Sequence, residues 1–194
     1  MEKFLSMVVA MGMLTGPVMV HAEILQDNAD GIIQIETAEP IGQSFIAQDS
    51  AIKFAFYYVE MNPGWPNDPL QLQLRDGGFL WSPILGSVDF SIPYGFEGFF
   101  DIDFSSTTLT IGQEYTAVLS VNGTSPLWGV DYSQLGGYAG GRAYLGQNDP
   151  GTRDMRFRVS PVPEPASYAM LLAGLGLLGF GARRRKQTLL FNLA

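Results

Sequence analysis

Cysteine is absent from the 194 residues, and histidine occurs once, at His21. The first absence excludes a disulfide framework, a thiolate metal site and a cysteine nucleophile. The second leaves the body of the chain without imidazole, because His21 lies in a segment read below as a removable leader. Ser-His-Asp catalysis and the usual zinc sets then have no supporting residues. Positive charge is also sparse, with 11 basic against 19 acidic side chains and a net charge of −8. Nucleic acid is therefore not an expected partner, since phosphate binding needs clustered Lys and Arg to release counterions. Helical periodicity is missing too: no body segment of about ten residues shows an apolar stripe at 3.6-residue spacing.

What is present divides the chain into three. Residues 1–22 combine a charged start (Glu2, Lys3), an apolar run from Phe4 to Leu14, a Gly16-Pro17 break, and Val20-His21-Ala22 ahead of Glu23. This is a signal-peptide pattern, with small residues placing the cut after Ala22. The expected partners there are signal peptidase and the general secretory translocon. Toward the other end, a Pro-rich stretch over 161–166 runs into 167–182, which contains no charge, and Arg183, Arg184, Arg185 and Lys186 close it. As a helix, Ala166 to Ala182 would be about 25 Å long, at the short end of what crosses a bilayer. A single transmembrane helix is expected over 167–182, with the cations on the cytoplasmic side and the body on the far side. Its Gly and Ala content suits close packing against another membrane helix.

The order Val162-Pro163-Glu164-Pro165-Ala166, then an uncharged span, then the basic cluster, resembles a PEP-CTERM protein-sorting signal. The resemblance implies a Gram-negative bacterial protein, exported and then recognised by an exosortase, a membrane-embedded transpeptidase-like enzyme that processes the chain near Pro163-Glu164-Pro165. It further implies a cell-surface or biofilm-matrix location and an association with extracellular polysaccharide. One departure is the continuation from Gln187 to Ala194, where the family's signal usually stops within a few residues of its cations. The prolines agree with such a role, because each fixes its own φ and pushes its predecessor out of the helical region, holding Glu164 extended for an enzyme cleft. The alternative reading makes the Pro-rich stretch a spacer ahead of a permanent single-span anchor.

Residues 23–160 hold 17 acidic and 6 basic side chains, so the body carries −11. Its apolar residues recur with period two. Ile52, Phe54, Phe56 and Tyr58 form one such row, and Leu70, Leu72 and Leu74 another; Phe100, Ile102 and Phe104, Tyr115 to Val121, and Met155, Phe157 and Val159 repeat the pattern. About nine strands with one dry face each need a second sheet to cover them, which predicts an all-β, antiparallel, jelly-roll-like β-sandwich. In it, the strand near Ile32 to Ile35 and the last strand near Met155 to Val159 lie close together. Asp76-Gly77-Gly78 and Asn122-Gly123 read as tight hairpins, and Gly136 to Gly141 as a mobile loop. The body also resembles the jelly-roll ectodomains joined to this sorting signal, through Gln43-Ser44-Phe45, Leu70 to Arg75, Gly112 to Thr116, Gly140 to Tyr144 and Asp154 to Val159.

Sugar binding needs exposed flat rings beside carboxylates or amides, and the candidates are Trp65, Trp128, Tyr57 and Tyr132, with Trp81 and Tyr138 alongside. Asp101 and Asp103 point to one side of a strand about 7 Å apart, a spacing compatible with paired glycosidase carboxylates and so with a glycan-processing enzyme as the alternative function. No cofactor is expected; the residues that could hold a structural calcium are Asp27, Asp30, Asp149 and Asp154. Arg153, Arg156 and Arg158 form a small basic stripe that either balances local acid or faces an anionic surface. The expected protein is an exported, non-enzymatic, structural or polysaccharide-associated β-sandwich.

Overall fold

The computed structural model describes residues 22–146, 152–162 and 172–176. The strands follow one another as β1 (Ile24–Gln26), β2 (Gly31–Gln34), β3 (Ile41–Ile46), β4 (Ile52–Glu60), β5 (Leu70–Asp76), β6 (Ile84–Phe90) and β7 (Gly98–Phe99). They continue as β8 (Ile102–Asp103), β9 (Glu114–Val121), β10 (Trp128–Ser133), β11 (Ala143–Leu145), β12 (Asp154–Met155) and β13 (Phe157–Pro161). One helical turn, α1 (Ile35–Ala38), follows β2.

Two antiparallel sheets result. The larger has the order β1-β13-β4-β10-β12, with β2 paired to β10 and the short β7 and β8 paired to β4; the smaller has the order β11-β3-β9-β5-β6. The period-two rows are the reason the sheets meet. Ile52, Phe54, Phe56 and Tyr58 from one sheet and Phe45, Leu70, Leu72, Leu74 and Leu119 from the other are all buried in a single apolar cluster. Aromatic rings join across it: Phe45 to Phe54 at 5.6 Å, and Phe54 stacked on Phe157 at 5.8 Å. The all-β sandwich read from the sequence is what forms.

Several local expectations are corrected. β5 and β6 do pair, but across a loop over 77–83, not a tight turn at Asp76-Gly77-Gly78. Asn122-Gly123 is not a hairpin, because β9 pairs with β3 and β5 while β10 pairs with β2 and β4; the segment crosses from one sheet to the other. The strand that neighbours the last one is β1, with Ile24 opposite Val159, whereas β2 lies on β10. The row Phe100, Ile102, Phe104 forms only the two-residue β8.

Residues 172–176 are helical, and among the described residues no helix is long and apolar enough to cross a membrane. The expected signal peptide up to residue 21, most of the expected span over 167–182, the cluster Arg183, Arg184, Arg185 and Lys186, and Asp149 lie outside the described residues.

Candidate functional site

The sorting motif is attached to the sandwich without a spacer. β13 pairs with β4 through Pro161 opposite Ile52, and the next residue, Val162, still donates its backbone N–H to the Ala51 carbonyl at 2.9 Å. Pro163, Glu164, Pro165 and Ala166 follow immediately, outside the described residues. The neighbouring strand β1 brings Glu23 to the same end, where its carboxylate accepts from the Ser160 hydroxyl at 3.0 Å and sits 3.6 Å from Arg158 Nε. Both ends of the body therefore emerge side by side.

Arg158 on the outward face of β13 and Arg156 just ahead of that strand carry the basic stripe, and the sheet order supplies their acidic partners. Arg156 Nη2 lies 2.6 Å from Asp27 and Nη1 3.2 Å from Asp131, while its guanidinium covers the Tyr57 ring at 3.7 Å. Burial raises the Asp131 carboxyl, an effect that Arg156 opposes. Arg158 Nη2 donates to both oxygens of Asp101, at 2.8 and 2.9 Å. Asp103 accepts from the Ser105 backbone N–H at 2.7 Å and sits opposite Lys53 across the β4–β8 ladder. Hydrogen bonds from Ser105, assisted by Lys53, hold the Asp103 carboxyl below its ordinary value. A glycosidase general acid needs the opposite shift. Asp101 and Asp103 thus stand in two separate polar pairings on the sheet surface.

The aromatic candidates separate by burial. Trp128 is corrected: it is 0% exposed, fills the core, and donates its indole N–H to Asn67 Oδ1 at 2.8 Å, so it has no face to offer a sugar. Tyr57 has one ring face under Arg156, its hydroxyl on Glu97 at 3.2 Å, and Phe99 edge-on at 5.2 Å. Tyr132 is half-buried over Gly31, and Arg153 stands 5.8 Å from its ring. Trp65 remains 58% exposed beside the 62% exposed Tyr94, whose hydroxyl reaches the Trp65 carbonyl at 3.5 Å.

Of the acidic metal candidates, Asp27, Asp30 and Asp154 lie among the described residues, and each is held by a donor of its own. Asp27 is engaged by Arg156, and Asp30 accepts from Gln134 N–H at 3.0 Å. Asp154 accepts from the backbone N–H groups of Gly137 and Tyr138, both at 2.8 Å, and from Gln43 Nε2 at 3.1 Å. Among the described residues no group of three metal-ligating side chains forms. The Asp154 contacts overturn the mobile-loop reading of Gly136 to Gly141. That loop is tied to Asp154, the Tyr138 hydroxyl accepts from Ile46 N–H at 3.1 Å, and the Tyr138 ring packs edge-on to Phe157. An open depression of about 570 Å³ lies beside it, lined by Gly136, Tyr138, Arg142, Arg153 and Asp154 among others. Nothing in the sequence near Asp154 marks it as the anchor of this loop, since its partners lie 16 and 17 residues back and, for Gln43, 111 residues back.

An all-β sandwich whose last strand opens directly into a Pro-Glu-Pro segment is a body with a processing signal attached. The family described as PEP-CTERM protein-sorting motif matches residues 161–186. The chain carries that motif, which marks it as an exported protein processed by an exosortase. No curated protein matches the chain.

Proposed function

We propose that this is a surface or matrix protein of a Gram-negative envelope, released from its membrane intermediate by exosortase cleavage within Val162 to Ala166 and retained as a β-sandwich in extracellular polysaccharide. The observation that carries the reading is the junction: β13 completes the sandwich at Pro161, and the matched motif occupies 161–186, so a cut just beyond Val162 leaves every strand intact. Trp65 and Tyr94, exposed together on neighbouring loops, support the polysaccharide association, because flat rings pack on the C–H faces of sugars. The body's −11 charge keeps it soluble once it is free. The test is the intact mass of the protein from cells with and without the exosortase. The expected result is a chain running from Glu23 to within Val162–Ala166 only when the enzyme is present. A full C-terminus in both strains would make the protein a permanently anchored envelope domain and would reject the reading.

A further inference from the structure

The loop over 77–83 folds back across the outer face of the smaller sheet. Leu80 is buried there against Val118 and Tyr144, in a small apolar cluster of its own. The Thr116 hydroxyl donates to the Gly77 carbonyl at 2.7 Å, the Tyr144 hydroxyl donates to the Gly78 carbonyl, and Asp76 N–H donates to the Pro83 carbonyl at 2.9 Å. Ser82 N–H closes the tip on the Phe79 carbonyl at 3.2 Å. A loop held at so many points has little slack, yet it leaves Phe79 64% and Trp81 67% exposed on either side of Leu80. Two large rings presented to water by a fixed loop mark a contact surface.

A line of polar groups runs along β5 to these rings. Arg75 Nη1 donates to the carbonyl of Ser82, next to Trp81, at 3.1 Å, and Nη2 donates to Gln73 Oε1. Gln73 Nε2 donates to Gln71 Oε1 at 2.6 Å, and Gln71 Nε2 donates to Asp89 Oδ1 at 2.9 Å. The three β5 residues alternate with the buried Leu70, Leu72 and Leu74, so they share the outward face at about 7 Å spacing. From Arg75 Nη2 onward each donor points toward Asp89, and such chains polarise one another. Each glutamine spends one of its two amide hydrogens in the line and keeps the other for a ligand.

We propose that this face binds an uncharged polysaccharide, Phe79 and Trp81 stacking on the C–H faces of sugar rings while Gln71, Gln73, Arg75 and Asp89 bond to their hydroxyls. The inference rests on the reading that the processed protein is retained in extracellular polysaccharide. Sugar hydroxyls both donate and accept, which matches a line of amides; an apolar protein surface would bury that line without partners. The charges of Arg75 and Asp89 balance, and the body around them carries −11, so an acidic polymer gains nothing here.

The test is affinity electrophoresis of the processed protein in native gels containing hydroxyethylcellulose, galactomannan or alginate. Should the chain prove unprocessed in cells, the full chain in detergent is run on the same gels, so the two readings fail separately. Retardation by a neutral polymer and not by alginate is expected, with Trp81→Ala and Phe79→Ala each weakening it at least about tenfold. Gln73→Ala should weaken it about threefold. Because Phe79 and Trp81 are exposed, unfolding midpoints close to the parent's are expected for their variants. No retardation by either neutral polymer, retardation by alginate alone, or retardation left unchanged in both Trp81→Ala and Phe79→Ala would overturn the proposal. So would concentration-dependent self-association abolished by Trp81→Ala, which would assign the face to a second copy.

Discussion

Asp154 is buried at 2% exposure on β12, and Gln43 is buried on β3 of the other sheet. Their side chains meet at 3.1 Å, and Gln43 Oε1 also accepts from Met155 N–H at 2.8 Å, so one amide joins the two layers of the sandwich. Asp154→Asn would place an amide donor against the Gln43 donor or turn it away from the Gly137 and Tyr138 N–H groups. A loss of about 1–3 kcal/mol is expected by urea unfolding, as for a buried polar group left unmatched. Burial, offset by the bonds from Tyr138, Gln43 and Gly137, lifts the Asp154 carboxyl above its ordinary value of 3.8. A carboxyl raised in the fold favours folding most below its ordinary pKa, and that contribution is lost as pH rises through the raised value. The stability gap between parent and Asp154→Asn should therefore narrow as pH rises across that window. Tyr58 presents the opposite case: its hydroxyl is buried with no partner among the described residues, and burial raises its pKa. Tyr58→Phe removes an unsatisfied group while keeping the ring, and unfolding should show it neutral or stabilising by up to about 1 kcal/mol.

At the scale of elements, β13 does two things. It closes the larger sheet between β1 and β4, and it delivers the sorting motif at a fixed point, since Val162 is still bonded to Ala51. Pro163 thus follows directly on the last backbone contact to the sheet among the described residues, and a membrane enzyme reaching the motif must approach the sandwich end that also bears Glu23 and Ser160. Five Gly and Ser residues inserted after Val162 are expected to raise the ratio of processed to unprocessed chain in a pulse-chase, with unfolding of the body unchanged. An unaltered ratio would mean that the junction does not limit access. The alternation of Ile52 to Tyr58, Leu70 to Leu74 and Tyr115 to Val121 was enough to place β4, β5 and β9, because one-sided burial leaves a period of two. The same rule over-read Phe100 to Phe104 as a full strand: Ile102 and Phe104 are buried, but the ladder with β4 is limited to Ile102 and Asp103, with Phe100 and Phe104 adding single backbone bonds to Phe56 and Ile52.

The molecule as a whole has one dominant core. Residues from both sheets, from Ile24 near its start to Val159 near its end, belong to the same buried cluster, and strand β1 pairs with β13 across most of the chain's length. Separate unfolding of either sheet would expose the facing side of the other, so the processed body is expected to unfold in one cooperative transition, with fluorescence and circular dichroism coincident. Two resolved transitions would show that the interface between the sheets is weaker than this packing implies. The spread of long-range pairing also explains why the candidate sites were only partly legible. Trp65, Trp81 and Trp128 each sit near Gly or Pro in the sequence, yet only the first two face solvent; the third is taken into the core by β10 and by Asn67, 61 residues earlier.

What the sequence alone determined is whatever a linear reader can use: the Pro-Glu-Pro string, the uncharged stretch and the cations that the sorting-motif family matches over 161–186, and the period-two rows that require a sandwich. These are local properties, set by proline geometry, charge and strand pleat. Tertiary structure decided the rest. It placed Asp101 on Arg158 and Asp27 on Arg156, tied the glycine-rich loop to Asp154, and left Phe79 and Trp81 exposed above a line of amides. Each of those outcomes depends on which strands become neighbours. That choice is made by burying one apolar face against another, and residues far apart in the chain settle it together.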